Sequence, residues 1–209
     1  MGLFPTSDAL VLHVTSCLAG TTSRRAATHD RFCVGRTKGC IVTKVTATTV
    51  PDESALKPTL ADADFYDAYE APLNTAMLSP TEIFLRASRS TPKWVDDLMA
   101  IRNRIVRLFG LKDVGAMKIV ARAPDAYRVG DRLGIFSIFG KTEKELLLGI
   151  DDRHLDVRVS VLKSERNGLP HYVVSTVVHV HNLLGRIDMA PVGRIHPFVV
   201  RSMMGRAEV

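Results

Sequence analysis

Past residue 40 the chain has no cysteine; Cys17, Cys33 and Cys40 are the only three. That excludes a disulfide framework or a thiol nucleophile in the part that looks like a domain. The spacing Cys33-x6-Cys40 is also wrong for a zinc knuckle. Aromatic residues are scarce, at 6%. No run of Lys or Arg forms a stripe, so nucleic acid is not expected as a partner despite a net charge of +6. Half of that charge lies in residues 1–40, from Arg24, Arg25, Arg31, Arg36 and Lys38 against Asp8 and Asp30. No stretch approaches the roughly 20 apolar residues that cross a bilayer. The apolar segment 9–20 is interrupted by His13, and Met1 to Asp8 lacks the Lys or Arg of a secretory leader. Met1 to Thr6 and Val14 to Cys17 imitate a myristoylation start and a lipoprotein box only loosely. We therefore expect a poorly structured extension over 1–40, a single domain over 41–209, a cytoplasmic location and no stable membrane insertion.

What is present is globular: 46% of residues are hydrophobic and 24% charged. The strongest pattern is a pair of alternating runs, Leu155 to Val161 and Tyr172 to His181, with a polar loop expected over 164–170. Upstream, 41–50 is β-branched, and 62–72 reads as a strand carrying Phe65, Tyr66 and Tyr69. Ser79-Pro80-Thr81-Glu82 is a capping box that starts a helix. A second helix starts at Thr91-Pro92, with Trp94, Leu98, Ile101, Ile105 and Leu108 as its apolar stripe and Arg102 and Asn103 on the other side. A short strand is expected at 117–121, then strands at 133–139 and 144–150, and Gly185 is expected to end the hairpin. The tail 187–204 is helical, with Met189, Val192, Ile195, Val199 and Met203 in a stripe and Pro197 as a kink. Short connections make these strands antiparallel, and the closing helix can cover one face of the sheet. The expected class is α+β: a helix grip, a curved antiparallel sheet around a long C-terminal helix, with two short helices after the first strand.

This order is similar to the helix-grip fold of the START and birch-pollen-allergen superfamily (SRPBCC). More closely, the run from Gly149 to Ser160 (Gly-Ile-Asp-Asp-Arg-His-Leu-Asp-Val-Arg-Val-Ser) resembles a bacterial uncharacterised family, domain of unknown function 2867. So do Thr176-Val177-Val178, Gly185-Arg186 and Pro197-Phe198. The resemblance runs from about Val42 to Arg206. It departs at Val157, where an aromatic is expected, and at Val199, where a histidine is expected. It implies the fold and a small-ligand cavity; it carries no established activity and so transfers no catalytic residue.

Alternation also sets a register for the long hairpin. With both valine faces in the core, Val157 pairs with Val178 and Val159 with Thr176. The other face then holds His154 opposite His181, Asp156 opposite His179, and Ser160 opposite Ser175. His154, Asp156, His179 and His181 are the residues nearest to a metal or acid–base set. Ordinary cross-strand pairs on a solvent-facing or subunit-facing side explain them as well, and no metal is assigned. That face lies away from the helix and outside the cavity. No phosphate loop, Rossmann fingerprint or nucleophile elbow is present, so no cofactor is implied. The expected cavity lining is Tyr66, Tyr69, Trp94, Phe136, Thr176 and His196. The first expectation for function is binding of a small apolar molecule. The second is a cyclase- or hydrolase-type enzyme in the same cavity. The third is a structural or interaction module, a homodimer through the exposed sheet face.

Overall fold

The computed structural model describes residues 44–108 and 122–209. The extension, the three cysteines and the strand expected at 117–121 lie outside the described residues. The strands are β1 (Thr46–Ala47), β2 (Phe65–Pro72), β3 (Arg132–Leu133), β4 (Phe136–Lys141), β5 (Glu145–Asp151), β6 (Leu155–Arg166) and β7 (Leu169–Val180). The helices are α1 (Pro80–Arg89), α2 (Lys93–Leu108) and α3 (Leu183–Arg206). Among the described residues seven strands form one antiparallel sheet in the order β1-β2-β7-β6-β5-β4-β3. With its long C-terminal helix, this α+β arrangement fits a helix grip.

β6 and β7 are the longest strands, and their pairing is the expected one. Val157 faces Val178, Val159 faces Thr176, Asp156 faces His179 and Ser160 faces Ser175. The seven-residue loop does not exist. Pairing continues to Arg166 opposite Leu169, leaving a two-residue turn. Asn167 and Gly168 take φ of 55° and 75°, the left-handed pair that a tight hairpin needs and that Asn-Gly supplies. The polar residues of 164–170 read as loop, yet they are the ends of two strands.

The face of the sheet away from the helices is not open to solvent at its centre. Val50 and Leu56 pack there with Ala68, Val173 and Val177. Glu145 anchors the covering segment: its carboxylate accepts from Ser54 Oγ at 2.7 Å, Ser160 Oγ at 2.6 Å and the Ala55 amide at 3.1 Å. Ser160 and Ser175, on the face expected to be solvated, are thus fully buried.

Ser79 caps α1 as expected, accepting from the Glu82 amide at 3.2 Å. Glu82 does not reach back; it pairs with Arg86 one turn on, at 2.7 Å. α2 is rotated from its expected orientation. Val95, Met99 and Arg102 face inward, while Trp94 and Ile101 are 39% and 57% exposed. Stepping back one residue on a helix turns the side chain by about 100°, which separates Trp94 from Val95. α3 begins earlier than expected. Asn182 caps it, accepting from the amides of Leu184 and Gly185, so Gly185 lies in its first turn rather than ending the hairpin. The helix runs on through Pro191 and Pro197.

Candidate functional site

A cavity of about 250 Å³ lies between the sheet and the three helices. Its floor includes Val157, Val159 and Val174; its roof includes Met99, Val192 and Met203. These follow from the two periods, since alternate residues of β6 and β7 share a face and α3 presents every third or fourth residue.

At one end the apolar lining gives way to a charged cluster. The turn between β5 and β6 carries Asp152 and His154. Three contacts clamp its backbone. The His181 amide donates to the His154 carbonyl at 2.9 Å, and Asn182 Nδ2 donates to the Arg153 carbonyl at 3.0 Å. Gly185 supplies the third by lying against His154; a Cβ there would stand 2.2 Å from the His154 carbonyl oxygen. So held, His154 turns its ring into the cavity and is only 2% exposed. Nδ1 lies 3.4 Å from Asp152 Oδ2, and Nε2 lies 3.5 Å from Asp188 Oδ2. Neither contact has hydrogen-bond geometry, so both buried ring nitrogens lack a hydrogen-bond partner. Asp188, on α3, is held by Arg102 of α2, whose Nε and Nη2 donate to its two oxygens at 3.2 and 2.5 Å.

Further along α3, His196 Nδ1 meets Asp67 Oδ2 of β2 at 2.8 Å, and its ring edge packs on Phe65. Tyr69, next on that face of β2, has its hydroxyl pushed up to about 12, mainly by burial and then by the Asp67 charge; Arg201, over its ring at 5.2 Å, pulls the other way. At the opposite end, Tyr172 is fully buried in the lining and its hydroxyl has no partner. Burial pushes that hydroxyl far up, so it stays protonated. Ser88 Oγ, also in the lining, is likewise buried and unpaired.

Of the six residues expected to line the cavity, the structure places Phe136, Thr176 and His196 at it. Tyr66 and Tyr69 cannot both face inward, because odd and even residues of a strand take opposite sides. Tyr66 is the outer one, 58% exposed, and Tyr69 is buried beside the cavity without lining it. Trp94 is displaced by the rotation of α2. The quartet of His154, Asp156, His179 and His181 is split. His179 Nε2 meets the Thr59 carbonyl at 3.0 Å, and His181 Nε2 meets Asp156 at 3.1 Å, whereas His154 is in the cavity. Among the described residues no group of three or more His, Cys, Asp or Glu side chains is placed to hold a metal ion. His154 was expected outside because alternation was extended back before the first residue of β6. It sits in the turn, where the two-residue period does not apply. Sequence reasoning also missed Asp152, Arg102, Asp188 and Tyr172 as site residues. Two signals were available: Asp188 is an acid beside the apolar stripe of α3, and Tyr172 lies on the valine face of β7.

Fold and site together define an α+β protein with an apolar cavity that carries a buried histidine–aspartate–arginine cluster at one end. The chain belongs to the family described as protein of unknown function (DUF2867), whose model matches residues 59–203, more than half of its length. No curated protein and no solved structure matches it. Among the described residues no helix is long and apolar enough to cross a membrane.

Proposed function

We propose that this protein binds a small, mostly apolar molecule in the cavity between its sheet and its C-terminal helix. The supporting observation is an apolar cavity whose lining holds buried polar atoms without hydrogen-bond partners: the His154 ring, Tyr172 and Ser88. Each such atom costs about 1–3 kcal/mol while unsatisfied, and a bound molecule removes that cost. Ligand sites are commonly of this kind, apolar walls with few convergent polar groups. The arrangement of sheet and closing helix supports kinship with the START and birch-pollen-allergen superfamily. Native mass spectrometry of the purified protein tests the proposal, together with thermal shifts across fatty acids, sterols, long-chain alcohols and aromatic polyketides. A retained small molecule or a saturable shift is expected. An empty protein with no shift overturns it.

His154 supports a second reading, a cyclase- or hydrolase-type enzyme in the same cavity. An imidazole set between two carboxylates can take a proton from a bound molecule and return it. On that reading His154→Gln retains ligand and loses turnover. Binding without conversion by the intact protein overturns it.

A further inference from the structure

The two ends of the cavity are polar in different ways, and they are far apart. On α3 the lining runs from Asp188 to Met204, sixteen residues or roughly 24 Å at the α-helical rise. On the sheet, Tyr172 pairs with Lys163, whereas His154 precedes the pair Leu155–Val180. The eight steps from Tyr172 to Val180 span roughly 26 Å. One cavity thus has a buried hydroxyl without a hydrogen-bond partner at one end and, at the other, a buried imidazole whose nitrogens lie 3.4 and 3.5 Å from carboxylates without hydrogen-bond geometry.

Building on the binding reading above, we propose that the ligand is an elongated apolar molecule with a neutral oxygen function at each end. A hydroxyl or carbonyl meets Tyr172, and a hydroxyl meets His154. A one-headed amphiphile satisfies one end and leaves the other unpaired. Water is a poor substitute at Tyr172, because a buried water needs two to four polar partners. On that face of the sheet Val161, Val174 and Ala71 are apolar, and Lys163, directly opposite Tyr172, is turned to the Ala76 carbonyl at 2.7 Å. Charge selects against acids. At the His154 end stand Asp152 and Asp188, and Arg102 is already committed to Asp188. A ligand carboxylate there meets two like charges, and at Tyr172 the nearest cation, Lys163, is engaged by the Ala76 carbonyl while the other walls are apolar and penalise an ion.

The test compares straight-chain diols, with a hydroxyl at each end, against mono-alcohols and diacids of equal chain length. Dissociation constants are read by calorimetry on the full chain. Diols are expected to bind roughly tenfold tighter than mono-alcohols, and diacids more weakly than either. Tyr172→Phe and His154→Gln, each checked for folding by circular dichroism, are each expected to erase the diol advantage. Equal affinity of diol and mono-alcohol in the unmodified protein, or a diol advantage that survives both substitutions, overturns the two-ended ligand while the cavity keeps its binding role. If none of the three series binds, the two-ended ligand is overturned; the binding role itself falls only if the sterols and polyketides are also without effect.

Discussion

Arg102 of α2 holds Asp188 of α3 with two hydrogen bonds, of 3.2 and 2.5 Å, and the same Asp188 oxygen that takes the shorter one lies 3.5 Å from the ring of His154. The pair joins two helices at the charged end of the cavity, with side chains only 20% and 7% exposed. It sets Asp188 beside His154 and ties α2 to α3 with Arg102 inward.

A buried ion pair is most costly when halved. Arg102→Met leaves Asp188 without its cation and should destabilise the protein by about 3 kcal/mol. Arg102→Met combined with Asp188→Leu should recover most of that loss. Denaturant unfolding of both variants checks this; a double variant as unstable as the single one contradicts it.

Tyr172→Phe removes a buried hydroxyl that has no partner. Unlike most core substitutions it should be neutral, or stabilising by about 1 kcal/mol, in ligand-free protein. The readout is the unfolding midpoint. A clear loss of stability would show that the hydroxyl is satisfied.

The alkaline limb of stability should report Tyr69 together with Tyr172, whose hydroxyl burial also pushes up. The Tyr69 hydroxyl is raised from 10.0 to about 12, by burial first and the Asp67 charge second. The unfolded chain loses that proton near pH 10 and the folded one near pH 12. Stability is therefore fully present below pH 10 and falls as pH rises to about 12, by about 2–3 kcal/mol. Tyr69→Phe should reduce this slope, leaving the share of Tyr172, and tyrosinate absorbance should follow the titration. An unchanged slope in Tyr69→Phe rules the cause out.

Two glycines should respond to alanine for different reasons. At Gly168 the space is open but φ is +75°, so the cost is backbone strain of about 1 kcal/mol. At Gly185 a Cβ meets the His154 carbonyl at 2.2 Å, and the cost should be at least about 2 kcal/mol. Gly185→Ala should also weaken ligand binding by moving the turn that holds His154, whereas Gly168→Ala should not. Unfolding free energies and ligand titrations of both variants decide it.

Much of the fold is legible in particular residues. The valine alternation of β6 and β7 specifies their pairing because a one-residue slip would turn every valine outward. Ser79 and Pro80 mark the start of α1 by chemistry local to four residues. The site was less legible. Phe136, Thr176 and His196, expected in the cavity lining, are three of its residues. Arg102 was assigned to the solvent side because an apolar stripe through Trp94 and Ile101 looked like the buried one. The capacity of Asp188 to draw an arginine inward is not visible in the sequence of α2.

The sequence by itself determined the strand and helix types, the register of the central hairpin and the cap of α1, because each rests on residues near in the chain or on a strict period. Tertiary structure alone decided which way α2 faces, what covers the outer side of the sheet, and that His154 points into the cavity. Those outcomes depend on contacts across the chain: Arg102 with Asp188, Glu145 with Ser54, and Gly185 against the carbonyl of His154. No local pattern encodes them, because each partner is satisfied only once the other is in place.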